Sequence, residues 1–198
     1  DGYTDKKPIV FYGSSITQGG CASRPGNSYQ ALISRRFNID YFNFGFSGNA
    51  LGEKTMADYI AALPMSLFFL DFDHNSPNAE HLKAHHESFF LNIREKNPDL
   101  PVIMATKTDI PRSPAAEKSN AAHREVVYET YENAVKRGDR NVIFIDGATV
   151  FSKALTLSAP ADSCTVDGCH PNDLGFYRMA ACIEPVVKHI LETRETLI

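Results

Sequence analysis

Five short apolar segments limit what this chain can become: PIVFYG (8–13), YFNFG (41–45), SLFFLDF (66–72), PVIMATK (101–107) and NVIFIDG (141–147). None of them alternates apolar with polar residues. Uninterrupted apolar runs closed by Gly, Pro or Asp suit strands covered on both faces, as in a parallel sheet. The intervals between them read as helices. Ser28 is an N-cap for YQALISRRF, TMADYIAAL follows the second run, and residues 79–97 set Leu82, Phe89, Phe90 and Ile93 on one stripe. Residues 117–138 repeat that pattern and stop at Gly138, a C-cap residue. A last helix begins near Asn172, and Pro185 is expected to bend it. The longest irregular piece, KTDIPRSPAA (107–116), reads as a surface loop.

This alternation predicts a three-layer α/β/α sandwich on a five-stranded parallel, flavodoxin-like sheet with right-handed crossovers. A chain of 198 residues is expected to form a single domain, 1–198, and to bury roughly 70% of its unfolded surface. It starts at Asp1 rather than Met and enters a strand by Ile9, so it reads as the trimmed C-terminal part of a longer protein. If the missing piece is a signal peptide, the protein is soluble and secreted or periplasmic; the sequence itself does not fix the compartment. The net charge is −4 with no basic cluster, which argues against a nucleic-acid partner. No run of about 18 apolar residues is present to span a membrane. The four cysteines, at 21, 164, 169 and 182, form no C-x-x-C pair. Cys164 and Cys169 are close enough to bridge, and free thiols and a disulfide both remain open.

In sheets of this kind ligands sit at the carboxyl ends of the strands. The first run ends in Gly13-Ser14-Ser15 and the second in GFSGNA, with Ser47, Gly48 and Asn49. After the third comes DFDHNSPN, with Asp73, His74 and Asn75; DGCHPND, with Asp167 and His170, precedes the last helix. Together these pieces supply a hydroxyl, small backbone donors, an amide and an Asp-x-x-His pair. Acyl transfer needs that set: a nucleophile, a base oriented by a carboxylate, and donors for an oxyanion.

The set resembles the SGNH hydrolases, the GDSL-type esterases, through GSSIT, FSGN, DFDHN and DGCHP in that order over nearly the whole chain. The resemblance implies a serine ester hydrolase without cofactor or metal. Ser15 would be the nucleophile, His170 the base and Asp167 its orienting carboxylate. The Ser15 and Gly48 amides and the Asn75 side chain would hold the oxyanion. The implied substrate is an acetyl or other short ester on a carbohydrate; a thioesterase, a lysophospholipase or a catalytically silent glycan binder are the alternatives. Two departures stand out. Ser14 replaces the aspartate of GDS, and the usual GxND block is DHNSP, where Asn75 is preferred to Asn78. Ser14, Arg24, Asp73 and His74 border the site as candidate substrate contacts.

Blander readings stand beside these. Ser15 alone would pass as a helix N-cap, Gly48 as a turn residue and Asn75 as an Asx turn. Ser47 is a rival nucleophile in a near G-x-S-x-G. His81 and His85 have metal-ligand spacing but no third ligand, and read as ordinary helix histidines. GSSITQGG lacks the lysine of a phosphate loop, and a flavin role would leave the Asp-x-x-His block unexplained. Phe42, Phe44, Phe68 and Phe69 are expected in the core.

Overall fold

The structure, a computed structural model of the chain, describes residues 2–4, 6–108, 110, 113–153 and 161–195. Five strands, β1 (Ile9–Gly13), β2 (Tyr41–Gly45), β3 (Leu67–Asp71), β4 (Val102–Ala105) and β5 (Val142–Ile145), form one parallel sheet in the order β2-β1-β3-β4-β5. The α-helices among the described residues are α1 (Ser15–Gln18), α2 (Tyr29–Phe37), α3 (Lys54–Ala61), α4 (Ala79–Lys96), α5 (Pro114–Lys136), α6 (Val150–Lys153) and α7 (Asp173–Glu195). The expected three-layer α/β fold is therefore the observed one.

The lack of alternation in the strands has a simple cause. Odd and even residues of each strand feed different cores. Ile9, Phe11, Leu67, Phe69 and Ile103 point into the core shared with α2 and α7. Val10, Tyr12, Phe68, Leu70 and Met104 point into the core shared with α3, α4 and α5. Register puts Gly13 level with Gly45 and with Asp71, so three strand ends reach one rim together.

Some local expectations change. Phe68 and Phe69 are buried, but Phe42 is 37% exposed and Phe44 only half-buried. Both lie on β2, an edge strand, and the eight-residue α3 reaches Phe44 through Tyr59 without covering Phe42. Helix α5 starts earlier than its apolar stripe. Ser113 caps it by accepting from the Ala116 N–H, and Pro114 occupies its first turn, so the expected loop over 107–116 is shorter. Gly138, at φ +89°, lies one residue beyond the cap position, which Arg137 holds. Asp109, Pro111 and Arg112 of that loop lie outside the described residues. Helix α7 runs on through Pro185. Among the described residues no disulfide forms; Cys164 contacts Arg178 and Cys169 faces His74. No helix of the described residues is long and apolar enough to cross a membrane.

One packing feature carries a pH prediction. His86 is buried in the seam between α4 and α5, with Nδ1 2.9 Å from Thr130 Oγ1 and its ring stacked on Phe72. Burial pushes it down from 6.5 to about 3. The unfolded chain then takes up a proton first as pH falls, so the stabilisation is complete above pH 6.5 and declines below it toward pH 3. Between pH 6.5 and 5 this one group is expected to cost about 2 kcal/mol. The drop in urea-unfolding stability between those two pH values that is lost in His86→Gln measures it.

Candidate active site

Helix α1 is a single turn laid directly on the end of β1. Ser14 is its N-cap: the hydroxyl accepts from the Ile16 N–H at 3.2 Å and the side chain is fully buried. Ser14 therefore does not sit where a substrate would touch it, because its hydroxyl is spent on the backbone. The same fact explains GSS in place of GDS, since serine and aspartate cap helices about equally well. Capping by Ser14 leaves Ser15 as the first residue of the turn, with its side chain outward.

Ser15 Oγ lies 2.9 Å from His170 Nε2. On the other side of the ring, His170 Nδ1 lies 2.7 Å from Asp167 Oδ2. The second Asp167 oxygen accepts the N–H groups of Cys169 at 2.9 Å and His170 at 2.8 Å, an Asx-type turn that fixes the carboxylate beside the ring it faces. Those bonds hold the Asp167 carboxyl well below the usual carboxylate range, the His170 N–H first, then the His170 ring and the Cys169 N–H. An ionised Asp167 only accepts, so Nδ1 carries the ring proton and Nε2 offers its lone pair to the serine. The segment is further braced by the Thr165–Pro171 bridge and by Asn172, whose side chain caps α7 at the Gly175 N–H.

The other predicted residues divide. The Asn75 Nδ2 donates to the Phe46 carbonyl at 2.8 Å, tying the turn after β3 to the loop after β2 that holds Gly48. Asn78 instead caps α4 by accepting from the His81 N–H. Gly48 adopts φ +69°, and an added Cβ would meet no protein atom within 4 Å. Its glycine is thus set by the left-handed backbone rather than by crowding from the protein. Asp73 is 1% exposed and accepts from the Lys107 N–H at 3.0 Å, so it is an interior brace and not a rim contact. His74 is half-buried, 3.9 Å from Cys169 Sγ. Burial, then the nearby Lys107, His170 and His123, lower it to about 3, so it is neutral at neutral pH. Arg24 is exposed on the loop before α2.

Ser47 contacts no histidine among the described residues; its own N–H is bonded to Gln18. The rings of His81 and His85 stack at 4.2 Å, and no cluster of three or more metal-binding side chains occurs among the described residues. Sequence reasoning missed Asp173. It accepts from the Ser23 N–H at 2.8 Å, the Ser23 hydroxyl at 2.6 Å and Asn27 Nδ2 at 2.9 Å, clamping the loop after α1 to the first turn of α7.

The model of the GDSL-like Lipase/Acylhydrolase family matches residues 6–188. The chain belongs to this family. Among solved structures, a protein called a GDSL-like lipase from Bacteroides ovatus superposes with a TM-score of 0.82 at 33% identity, over 94% of this chain and 54% of that one. An acetyl-xylooligosaccharide esterase from Geobacillus shares the fold at a TM-score of 0.66 and 19% identity, over 91% of this chain and 92% of that one. A two-domain esterase active on acetylated mannans does so at 0.65 and 18% identity, over 96% and 50%. This chain thus spans about half the length of the Bacteroides GDSL-like lipase. No curated protein matches it.

Proposed function

We propose that this GDSL-family chain is a carboxylic ester hydrolase, a single catalytic domain that removes acetyl or other short acyl groups from carbohydrate. The observation that carries the reading is the continuous relay from Ser15 through His170 to Asp167, at 2.9 and 2.7 Å. Both contacts are within the reach that general-base activation of a hydroxyl needs.

In the first half-reaction Ser15 Oγ attacks the ester carbonyl carbon while its proton passes to His170 Nε2. Asp167 stabilises the imidazolium that forms. The carbonyl oxygen becomes an oxyanion held by the Ser15 N–H, the Gly48 N–H and Asn75 Nδ2. Ser15 opens α1, so its N–H is one of the donors a helix leaves unsatisfied at its start. Asn75 spends one amide hydrogen on Phe46 and keeps the second for substrate. Collapse breaks the ester C–O bond, and His170 hands its proton to the leaving sugar hydroxyl. Water then repeats the sequence on the acyl-serine and frees the acid.

Short acyl groups on glycans are favoured by two points. The rim residues Ser47 and Asn49 are polar and exposed, and Asn75 and His74 beside them are polar and half-buried. Two relatives of the same fold act on acetylated oligosaccharides or mannans. A series of p-nitrophenyl esters from acetate to laurate, run beside acetylated xylan and mannan, tests the assignment. The expected result is kcat/KM highest for acetate, with acetate released from at least one glycan. Preference for laurate, lysophospholipid or acyl-CoA would overturn the substrate class.

A further inference from the structure

A one-turn helix cannot hold itself in water, because nucleation costs more than a single turn returns. Whatever fixes α1 therefore lies beneath it. Thr17, fully buried, donates from Oγ1 to Asp71 Oδ2 at 3.3 Å and accepts the Tyr29 hydroxyl at 3.5 Å. The Thr17 carbonyl accepts from the side-chain amides of Gln30 and Asn43, the latter at 2.9 Å. Gly13 lets these groups meet: a Cβ there would stand 2.2 Å from Thr17 Oγ1 and 2.2 Å from the Asp71 carbonyl oxygen. The end of β1, the α1 turn and the end of β3 thus close around one side chain, Asp71.

Asp71 is an unusual group to find there. It is 3% exposed, and among the described residues no ion pair reaches it. The titratable groups facing it are Tyr29 from α2 and Asp73 from the turn after β3. Burial first, then the charge of Asp73, hold its carboxyl well above the usual range. We propose that Asp71 is a positioning residue for Ser15: with Thr17 and Tyr29, its buried carboxyl forms the floor that sets α1 at hydrogen-bond distance from His170. The inference rests on the reading of Ser15 as the nucleophile.

The test compares Asp71→Ala, Asp71→Asn, Thr17→Val and the Asp71→Ala/Thr17→Val pair, each first checked for native far-UV circular dichroism. With p-nitrophenyl acetate, Asp71→Ala should lower kcat by about 10²-fold, the cost of a small misplacement of a reacting group. KM should stay within about twofold, since ground-state binding is not touched. Asp71→Asn, neutral and of the same shape, should restore most of the loss. Thr17→Val should fall like Asp71→Ala, and the pair should fall no further than either. If Asp71→Ala does not fold, Thr17→Val carries the same expectation. A lower melting temperature with unchanged kcat of the folded protein would reduce Asp71 to a core residue and overturn the proposal. Equal losses in Asp71→Asn and Asp71→Ala would overturn it too, by showing that a side chain of the same shape with an acceptor for Thr17 does not hold the turn. The 15N signal of His170 Nε2 reads the Ser15 hydrogen bond without turnover. It should move in Asp71→Ala and not in Asp71→Asn, and a still signal in Asp71→Ala counts against the floor. Wild type that fails to turn over would sink the nucleophile reading alone.

Discussion

Ser15→Ala is expected to lower kcat/KM for p-nitrophenyl acetate by about 10⁴-fold or more while leaving the fold intact. The two halves of that expectation come from different contacts. Among the described residues the Ser15 hydroxyl has one side-chain partner, His170 Nε2 at 2.9 Å, and that contact is the proposed route of the proton. The cap of α1 belongs to Ser14, and alanine is the best helix former, so the turn itself loses nothing. The melting temperature should therefore stay within about 2 °C of wild type, less than the shift of a 1 kcal/mol change. A fluorophosphonate probe gives a second readout: wild type should label covalently and the variant should not. Ser47→Ala should behave as wild type in both assays. Labelling retained in Ser15→Ala and lost in Ser47→Ala would move the nucleophile to the loop after β2.

The parts of this molecule that could be read from its sequence are those governed by local chemistry. Runs such as IVFYG and SLFFLDF announce strands buried on both faces, and the structure shows why: Val10 and Phe11, or Phe68 and Phe69, belong to different cores. Residues that end those strands fall on one rim because all five strands are parallel. What the sequence could not show depends on neighbours distant in the chain. Phe42 looks like a core residue by composition, and only the position of β2 at the sheet edge exposes it. Ser14 and Ser15 are chemically identical neighbours. The cap bond to Ile16 turns one inward, and the other is left facing His170. Asp73 reads as a rim carboxylate by its place after β3, and the Lys107 N–H, distant in the chain, holds it in the interior. Two signals were present and went unused. SPAAE marks the start of α5 through a capping serine and a proline at the first helical position. An aspartate closing LFFLD, a strand with no exposed residue, had to be buried as well, and a buried carboxyl needs a reason.

Asp167→Asn should be nearly as damaging as loss of the Ser15 hydroxyl, with the backbone undisturbed. The aspartate does two jobs with two oxygens. Oδ1 accepts the Cys169 and His170 N–H groups and shapes the turn; Oδ2 accepts the hydrogen bond donated by the His170 Nδ1–H. Asparagine can keep its carbonyl oxygen on the two backbone donors, so the turn survives. Its NH₂ group then faces His170 Nδ1. A donor there requires Nδ1 to accept, which moves the ring proton to Nε2 and aims an N–H at Ser15. A histidine in that tautomer cannot take the serine proton, and no carboxylate remains to stabilise the imidazolium. Loss of kcat by up to about 10⁴-fold is expected, with KM little changed because substrate contacts stay in place. Asp167→Ala should be as slow and also less stable, since it removes the acceptor for both backbone N–H groups. The pH profile separates this role from a purely structural one. If the tautomer is at fault, the residual rate of Asp167→Asn should rise steeply toward alkaline pH, where hydroxide can replace the lost base, while wild type reaches a plateau. A variant that keeps wild-type kcat at pH 7 would show that His170 needs no carboxylate to hold its proton on Nδ1, and the relay would end at the imidazole.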